Sequence, residues 1–204
     1  PETLVALAAA KAKSGRNLMK TIYRLLWLTA VLTLANPVVV NADQTDQRLD
    51  ELFQTLQTSN DASELTDVEA AIWEIWYDSG EADIDSRMMD AGALVSAGEL
   101  IAAESIYSSI IAQYPNFSEG WNRRATVRFY QRDYDGSLAD IEQTLKLEPR
   151  HFGAIWGLGM IMGLQQDYQR AIIAFEALLE IKPNSQDARP RIEMLKQALA
   201  KEAV

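Results

Sequence analysis

Few residues of this 204-residue chain could do acid–base or metal chemistry. It has no cysteine and one histidine, His151, so zinc-thiolate sites, thiol nucleophiles and His-rich metal sites lack their parts. Several acids could form a carboxylate pair for general acid–base catalysis, but they are spread over the outer faces of predicted helices. His151 follows Pro149 at a predicted helix start and has no carboxylate or hydroxyl at helical spacing, which favours a surface or helix-capping role. We therefore predict no catalytic residue, no metal ligand and no cofactor.

Four carboxylates in one predicted loop are the best candidates for a calcium site: Asp78, Glu81, Asp83 and Asp85. They lack the Asp-x-Asp-x-Asp-Gly order with a Glu at the twelfth place that calcium loops use, so a solvated linker is favoured. A carboxylate-based, metal-dependent hydrolase stays open as a minor alternative, and a divalent ion bound to the purified protein would support it.

Three glycines at 157, 159 and 163 look like a phosphate-binding pattern. Such a pattern requires a preceding strand and a tight turn into a helix, whereas these glycines lie within a predicted helix. They predict close packing between helices.

Charge is distributed unevenly along the chain. The 19 Lys and Arg against 29 Asp and Glu give a net charge of -10, which disfavours generic nucleic-acid binding because phosphate contacts need cations. Residues 1–42 carry five cations and one acid. From Met19 onward, cations precede an apolar run over 25–35 and then short residues at Val40 and Ala42, the layout of a secretory signal peptide.

This layout predicts a signal peptide over 19–42, with 1–18 as an upstream extension. The alternative is that the apolar segment is kept as a membrane anchor, but it falls short of the about 20 apolar residues that a spanning helix needs. In either case the rest of the protein is expected to be exported, and periplasmic if the host is a Gram-negative bacterium.

Three prolines, Pro115, Pro149 and Pro183, are 34 residues apart. A bulky residue stands eight positions before each of them: Tyr107, Ile141 and Phe175. A small residue stands four positions earlier still: Ala103, Ser137 and Ala171. Small and bulky residues four apart share one helical face, where the small one lets a neighbouring helix approach. The period indicates an array of repeats.

These motifs resemble the tetratricopeptide repeat family, which has two antiparallel helices in each 34-residue unit. The unit over 118–151 has the run from Gly120 to Ala125, and the unit over 152–185 has Leu158-Gly159 and Asp167-Tyr168. A weaker unit over 84–117 has Ala91 at the position that corresponds to Gly159. The resemblance implies an all-α fold, a right-handed superhelix of antiparallel helix pairs with a C-terminal capping helix.

Two further segments flank the repeats. Residues 43–83 are predicted to form an acidic helical pair, because apolar residues recur at helical spacing from Leu49 to Leu56 and from Val68 to Trp76. This pair fits the period poorly, as the solvated end of an array does, so we expect it at the array's end. Residues 186–200 carry the stripe Ile192, Leu195 and Leu199 and are predicted to be the capping helix.

In such an array, the first helix of each repeat lines the concave side. The 34-residue register then places seven side chains in one groove, which we predict to bind a partner: Asn122, Thr126, Phe129, Tyr130, Trp156, Met160 and Leu164. Aromatic and Met side chains make adaptable contact surfaces. The alternative is that Trp156 and Met160 are buried against the capping helix.

Arginines on the first helix of the middle repeat form a second candidate surface. Arg124 and Arg128 could bind an acidic peptide or a terminal carboxylate. The alternative is internal pairing, since residues 43–104 carry 16 acids and two cations. The carboxylate-clamp subgroup of the family spreads Lys, Asn and Arg over three successive first helices, and this chain does not.

Together these features predict a non-catalytic, exported adaptor or scaffold that binds a protein or peptide segment in its groove. The resemblance implies the fold but does not identify the ligand. The alternative is a structural subunit of an envelope complex that self-associates as a homo-oligomer, which native mass spectrometry would detect.

Overall fold

A computed structural model describes residues 46–202 of the chain. The predicted extension over 1–18 and signal peptide over 19–42 lie outside the described residues. Within them, all regular secondary structure is α-helical: α1 Arg48–Thr58, α2 Ala62–Tyr77, α3 Ala82–Ser96, α4 Leu100–Gln113, α5 Ser118–Tyr130, α6 Tyr134–Leu147, α7 Phe152–Leu164, α8 Tyr168–Ile181 and α9 Ala188–Glu202. This confirms the prediction of an all-α fold.

Helices α3 to α8 form three consecutive pairs, α3 with α4, α5 with α6, and α7 with α8. The turn within each pair contains one residue with positive φ, at Gly98 (82°), Arg132 (66°) and Gln166 (62°). These positions are 34 residues apart, so the three pairs reverse direction by the same local geometry. In the second and third pairs an aspartate follows, Asp133 or Asp167, and its side chain caps the next helix.

Small residues allow the two helices of a pair to approach closely. A Cβ atom added to Gly159 on α7 would lie 2.7 Å from Cζ of Phe175 on α8, so only glycine fits beneath this ring. In the middle pair, Ser137 is buried and its hydroxyl donates a 2.7 Å hydrogen bond to the carbonyl oxygen of Ala125. Gly159 therefore allows α7 to pack closely against α8.

Helix α9 covers the last repeat as the predicted cap. It packs against α8 and buries Ala188, Ile192 and Leu195, whereas Leu199 stays partly exposed. The array is thus closed at its C-terminal end by an amphipathic helix, as such arrays require.

The helical pair α1–α2 forms as predicted, but not at the array's end. Its own interface buries Phe53 and Trp76, and Asp61 caps α2 by accepting hydrogen bonds from the amides of Ser63 and Glu64. The main neighbours of the pair in the array are α8, which packs against α1, and α5, which packs against α2. The expectation of an end position was wrong, because the aromatic residues of α2 contact the second and third repeats.

Candidate partner-binding cleft

A cleft of about 190 Å³ lies between α5 and α7. Six of the seven side chains predicted for the groove line it: Asn122, Thr126, Phe129, Tyr130, Trp156 and Met160. Ser137 and Ile141 of α6 and Gly157 of α7 also contribute to its walls. The 34-residue register therefore brings side chains from two successive repeats to one surface. The seventh residue, Leu164, is 53% exposed and lies outside this lining.

Tyr130 is the most accessible aromatic residue of the cleft, with 57% of its surface exposed. Its ring lies 5.9 Å from that of Phe129, which in turn lies 5.8 Å from Tyr134 at the start of α6. Edge and tilted contacts of this kind are favourable and hold a ring in place. Tyr130 thus presents a large, supported apolar surface to a ligand.

Trp156 is half-buried and contacts both the core and the capping helix. Its ring lies 5.0 Å from Phe175 in an edge contact, and the Arg191 guanidinium of α9 sits 6.0 Å from its centroid. The residue therefore lines the cleft while also touching the cap. Burial against the cap is thus only partial, and the role of Trp156 in partner binding stays a prediction.

Two polar side chains of the cleft, Asn122 and Thr126, are already engaged within the protein. Asn122 is only 6% exposed, and its amide donates a 2.8 Å hydrogen bond to Oε2 of Glu119. The Thr126 hydroxyl donates to the carbonyl oxygen of Asn122 at 3.1 Å. The surface offered to a ligand is thus largely apolar.

The arginines predicted as a second surface form internal ion pairs. Arg124 donates to both carboxylate oxygens of Asp140, through Nε at 2.8 Å and Nη2 at 2.7 Å. Arg128 donates to Asp140 at 3.0 Å and to Glu104 at 2.9 Å. Neither arginine lines the cleft, so internal pairing accounts for them. The main acceptor, Asp140, belongs to α6 rather than to the acidic N-terminal half, which sequence reasoning had favoured.

Sequence reasoning missed a buried polar cluster next to the cleft. Glu119 and His151 are fully buried, and Nε2 of His151 lies 3.0 Å from Oε2 of Glu119. The Nδ1 atom of His151 accepts the Ala154 amide at 3.2 Å, which assigns the ring proton to Nε2 as donor to Glu119. Burial raises the pKa of Glu119, against the opposing effect of the His151 hydrogen bond.

His151 therefore caps α7, which confirms the predicted capping role. The predicted surface position was wrong, because the side chain is buried. Its acidic partner lies 32 residues earlier, on another helix, where a search at helical spacing does not reach. Arg123 completes the cluster, since its Nε also donates to Glu119. Burial lowers the pKa of Arg123 to about 10, so it remains charged at neutral pH.

The described residues contain no group of three or more His, Asp or Glu side chains arranged to hold a metal ion. Of the candidate calcium carboxylates, Asp85 accepts a 2.6 Å hydrogen bond from the Ser79 hydroxyl, and Asp78 accepts one from the Gly80 amide. Between residues 46 and 202, no helix is both long and apolar enough to span a membrane.

Comparison with known proteins agrees with the repeat architecture. The family profile of the tetratricopeptide repeat matches residues 122–186. A TPR repeat-containing protein of Rhizobium etli is 36% identical over 154 residues, which are 76% of this chain and 76% of the relative.

Solved structures show the same fold. The first TPR domain of Spaghetti (RPAP3), bound to the HSP90 peptide SRMEEVD, aligns with 57% of this chain and 93% of its own at 20% identity, with a TM-score of 0.55. The Sgt2 TPR domain from Aspergillus fumigatus aligns with 60% of this chain and 83% of its own at 19% identity, with a TM-score of 0.56. From its repeat register, its helix pairs and its relatives, this chain belongs to the tetratricopeptide repeat family.

Proposed function

We propose that this protein is a non-catalytic adaptor that holds a protein or peptide segment in the cleft between α5 and α7. The observation that carries the proposal is the cleft itself, a concave surface with Tyr130 and Trp156 on its walls. Large aromatic side chains that are supported from behind are typical binding anchors. The structural neighbour bound to an HSP90 peptide supports a peptide ligand for this fold.

The lining favours a partner segment with apolar or aromatic side chains. Arg124 and Arg128, which could have selected acidic residues, lie outside the cleft lining and pair internally, and Asn122 is engaged with Glu119. An apolar segment would displace water without leaving a buried charge unpaired. Specificity would then come mainly from shape.

We also propose that the protein acts outside the cytoplasm, in the periplasm if the host is Gram-negative. This rests on the cationic, apolar and short-residue order over 19–42. N-terminal sequencing of the protein purified from its native host tests it, since a mature chain that begins near residue 43 is expected. A chain that retains residues 19–42 in the cytoplasmic fraction would contradict it.

A random peptide library displayed on phage and selected against the full chain tests the cleft. The affinity of a selected peptide should fall by about 30-fold, or about 2 kcal/mol, in each of the variants Tyr130→Ala and Trp156→Ala. Ile101→Ala is the matched control, because Ile101 is an apolar side chain 83% exposed on α4, outside the cleft. Equal affinity in all variants would contradict the proposal, and dimers in native mass spectra would favour the self-associating subunit.

A further inference from the structure

The N-terminal pair α1–α2 contacts a face of the array that adjoins the cleft and shares only Gly153 with the residues described as lining it. This docking face consists of Arg123 on α5, the segment Arg150–Gly153, and Lys182 just after α8. Contacts therefore join residues about 100 positions apart in the chain, such as Asp50 with Arg150. The pair and this face meet through side chains of two complementary kinds.

The first kind is charge. Residues 46–77 carry eight acids and one cation, whereas the docking face presents three cations. Nη1 of Arg150 lies 2.7 Å from Oδ1 of Asp50, and Nζ of Lys182 lies 2.6 Å from Oε2 of Glu69. The Arg123 guanidinium lies over the Tyr77 ring at 4.5 Å. The face thus pairs with an acidic side chain from each helix, Asp50 of α1 and Glu69 of α2, while Arg123 and Arg150 also pair with acids of the array.

The second kind is aromatic packing by Trp73, Trp76 and Tyr77 of α2, which are spaced i, i+3 and i+4. Trp76 stacks on His151 at 4.1 Å with an interplanar angle of 11°, above the buried Glu119. Trp73 lies edge-on to Phe152 at 5.2 Å. These rings place the helix on one site of defined shape.

The absence of a side chain at Gly153 leaves room for one of these rings. A Cβ atom at this position would lie 2.8 Å from Cη2 of Trp73. The equivalent positions in the other repeats, Asp85 and Glu119, both carry side chains. The missing side chain at 153 therefore makes room for an aromatic residue on the docked helix.

The resident helix keeps one unpaired donor where it contacts the face. Nε1 of Trp76 is buried and donates no hydrogen bond to any described residue. Buried donors are almost always paired, so an imperfect fit at the centre of the contact leaves room for a better ligand. The link to α3 is short and includes Gly80 with φ of 76°, a conformation that favours glycine.

We propose that this face recognises an acidic amphipathic helix with aromatic residues at i, i+3 and i+4, and that α2 is its resident, exchangeable occupant. A partner helix of the same chemistry would displace α2 and bind where it sat. The array would then have two adjoining recognition surfaces, the apolar cleft and this cationic, aromatic face, which meet at Gly153. The inference does not depend on the proposed function of the cleft.

A labelled peptide of residues 62–77 is the probe, and the full chain is the receptor. In the wild type, α2 competes at an effective concentration in the millimolar range, so the peptide should bind weakly. Trp76→Ala weakens the resident helix but leaves the face intact, and the peptide should bind this variant at least 10-fold more tightly. The same peptide with Ala in place of Trp76 should lose that gain.

Substitutions on the face complete the test. Adding Gly153→Ala to the Trp76→Ala chain should abolish peptide binding, whereas Gly92→Ala should not, because a Cβ atom at Gly92 meets nothing within 4 Å. Tyr130→Ala should also leave peptide binding unchanged, which separates this site from the cleft. Peptide binding that is equal in the wild type and the Trp76→Ala chain would overturn the proposal.

Hydrogen exchange of the wild type gives a second measurement if Trp76→Ala does not fold. The amides of 62–77 should exchange at least 10-fold faster than those of α7 and α8, and added salt should speed only the former by weakening the ion pairs. Equal protection of both regions, unaffected by salt, would make the pair an inseparable part of the core and refute the proposal. Dimers formed by trading α2 would assign the face to a second copy and refute a separate partner.

Discussion

Replacing Asp140 with alanine tests whether Arg124 and Arg128 serve the fold rather than a ligand. The Asp140 side chain is buried and accepts three hydrogen bonds, two from Arg124 and one from Arg128. Hydrogen bonds to charged groups each contribute about 1.5–3 kcal/mol, and breaking a buried ion pair typically costs about 3–5 kcal/mol. Since both arginines keep some contact with water, we expect a loss of about 3–4 kcal/mol for Asp140→Ala.

The third repeat shows how this loss can be reversed. Its residues at the register positions of Arg124, Arg128 and Asp140 are apolar: Leu158, Met162 and Ala174. The triple variant Arg124→Leu, Arg128→Met, Asp140→Ala copies them into the middle repeat. Replacing a buried ionic group by packed apolar residues is often neutral or stabilising, so the triple variant should lie within about 1 kcal/mol of the wild type.

Urea unfolding followed by circular dichroism at the helical band measures both effects. The control is Glu176→Ala, an exposed carboxylate on α8, which should change the free energy of unfolding by less than about 0.5 kcal/mol. A loss below about 1 kcal/mol for Asp140→Ala would refute the reasoning. So would a triple variant that is no more stable than the single one, because the cost would then not come from unpaired arginines.

Three further outcomes are expected in unfolding experiments. Phe175→Ala should cost about 3–5 kcal/mol because the ring is fully buried, whereas the half-buried Trp156→Ala should cost about 1 kcal/mol; similar losses would place Trp156 in the core. Gly159→Ala should cost about 1–3 kcal/mol by overpacking against Phe175, and become neutral or stabilising in the Phe175→Ala background; additive effects would contradict the clash. The hydrogen bond from Arg128 holds the pKa of Glu104 below its usual value of 4.5. Above about pH 5 the wild type should therefore be about 0.5–1 kcal/mol more stable than Glu104→Gln, and it should lose this advantage as the pH falls through the folded-state pKa. A stability difference that does not change with pH would exclude this ion pair.

The repeat units and the cleft lining could be predicted because they depend on spacing alone. Once Pro115, Pro149 and Pro183 set the register, equivalent residues of α5 and α7 had to face the same side. Asn122 and Trp156 line the cleft for this reason. The hydrogen bond from Asn122 to Glu119 could not be predicted, because the sequence does not show that Glu119 is buried beside it.

The errors concern contacts between distant residues. Helical spacing identifies contacts within one helix, such as those between residues i and i+4. His151 at the start of α7 instead contacts Glu119 of α5, and Arg124 of α5 contacts Asp140 of α6. The apolar stripes of α1 and α2 identified which faces are buried. They did not say which helices bury them, so the pair was placed at the end of the array.

The return of α1–α2 to the later repeats also affects the order in which the chain can fold. Repeat proteins usually fold from local contacts, because each unit meets only its neighbours. Here Gln57 donates to the Glu180 carbonyl, and Asn184 donates to the Ser59 carbonyl, across more than 120 residues. Such non-local contacts slow folding and cannot form until α8 has been synthesised. Until then Trp73 and Trp76 lack their docking site. Helices α1 and α2 are synthesised before the repeats but reach their final place after them, and in the unfinished chain they are a client surface for chaperones.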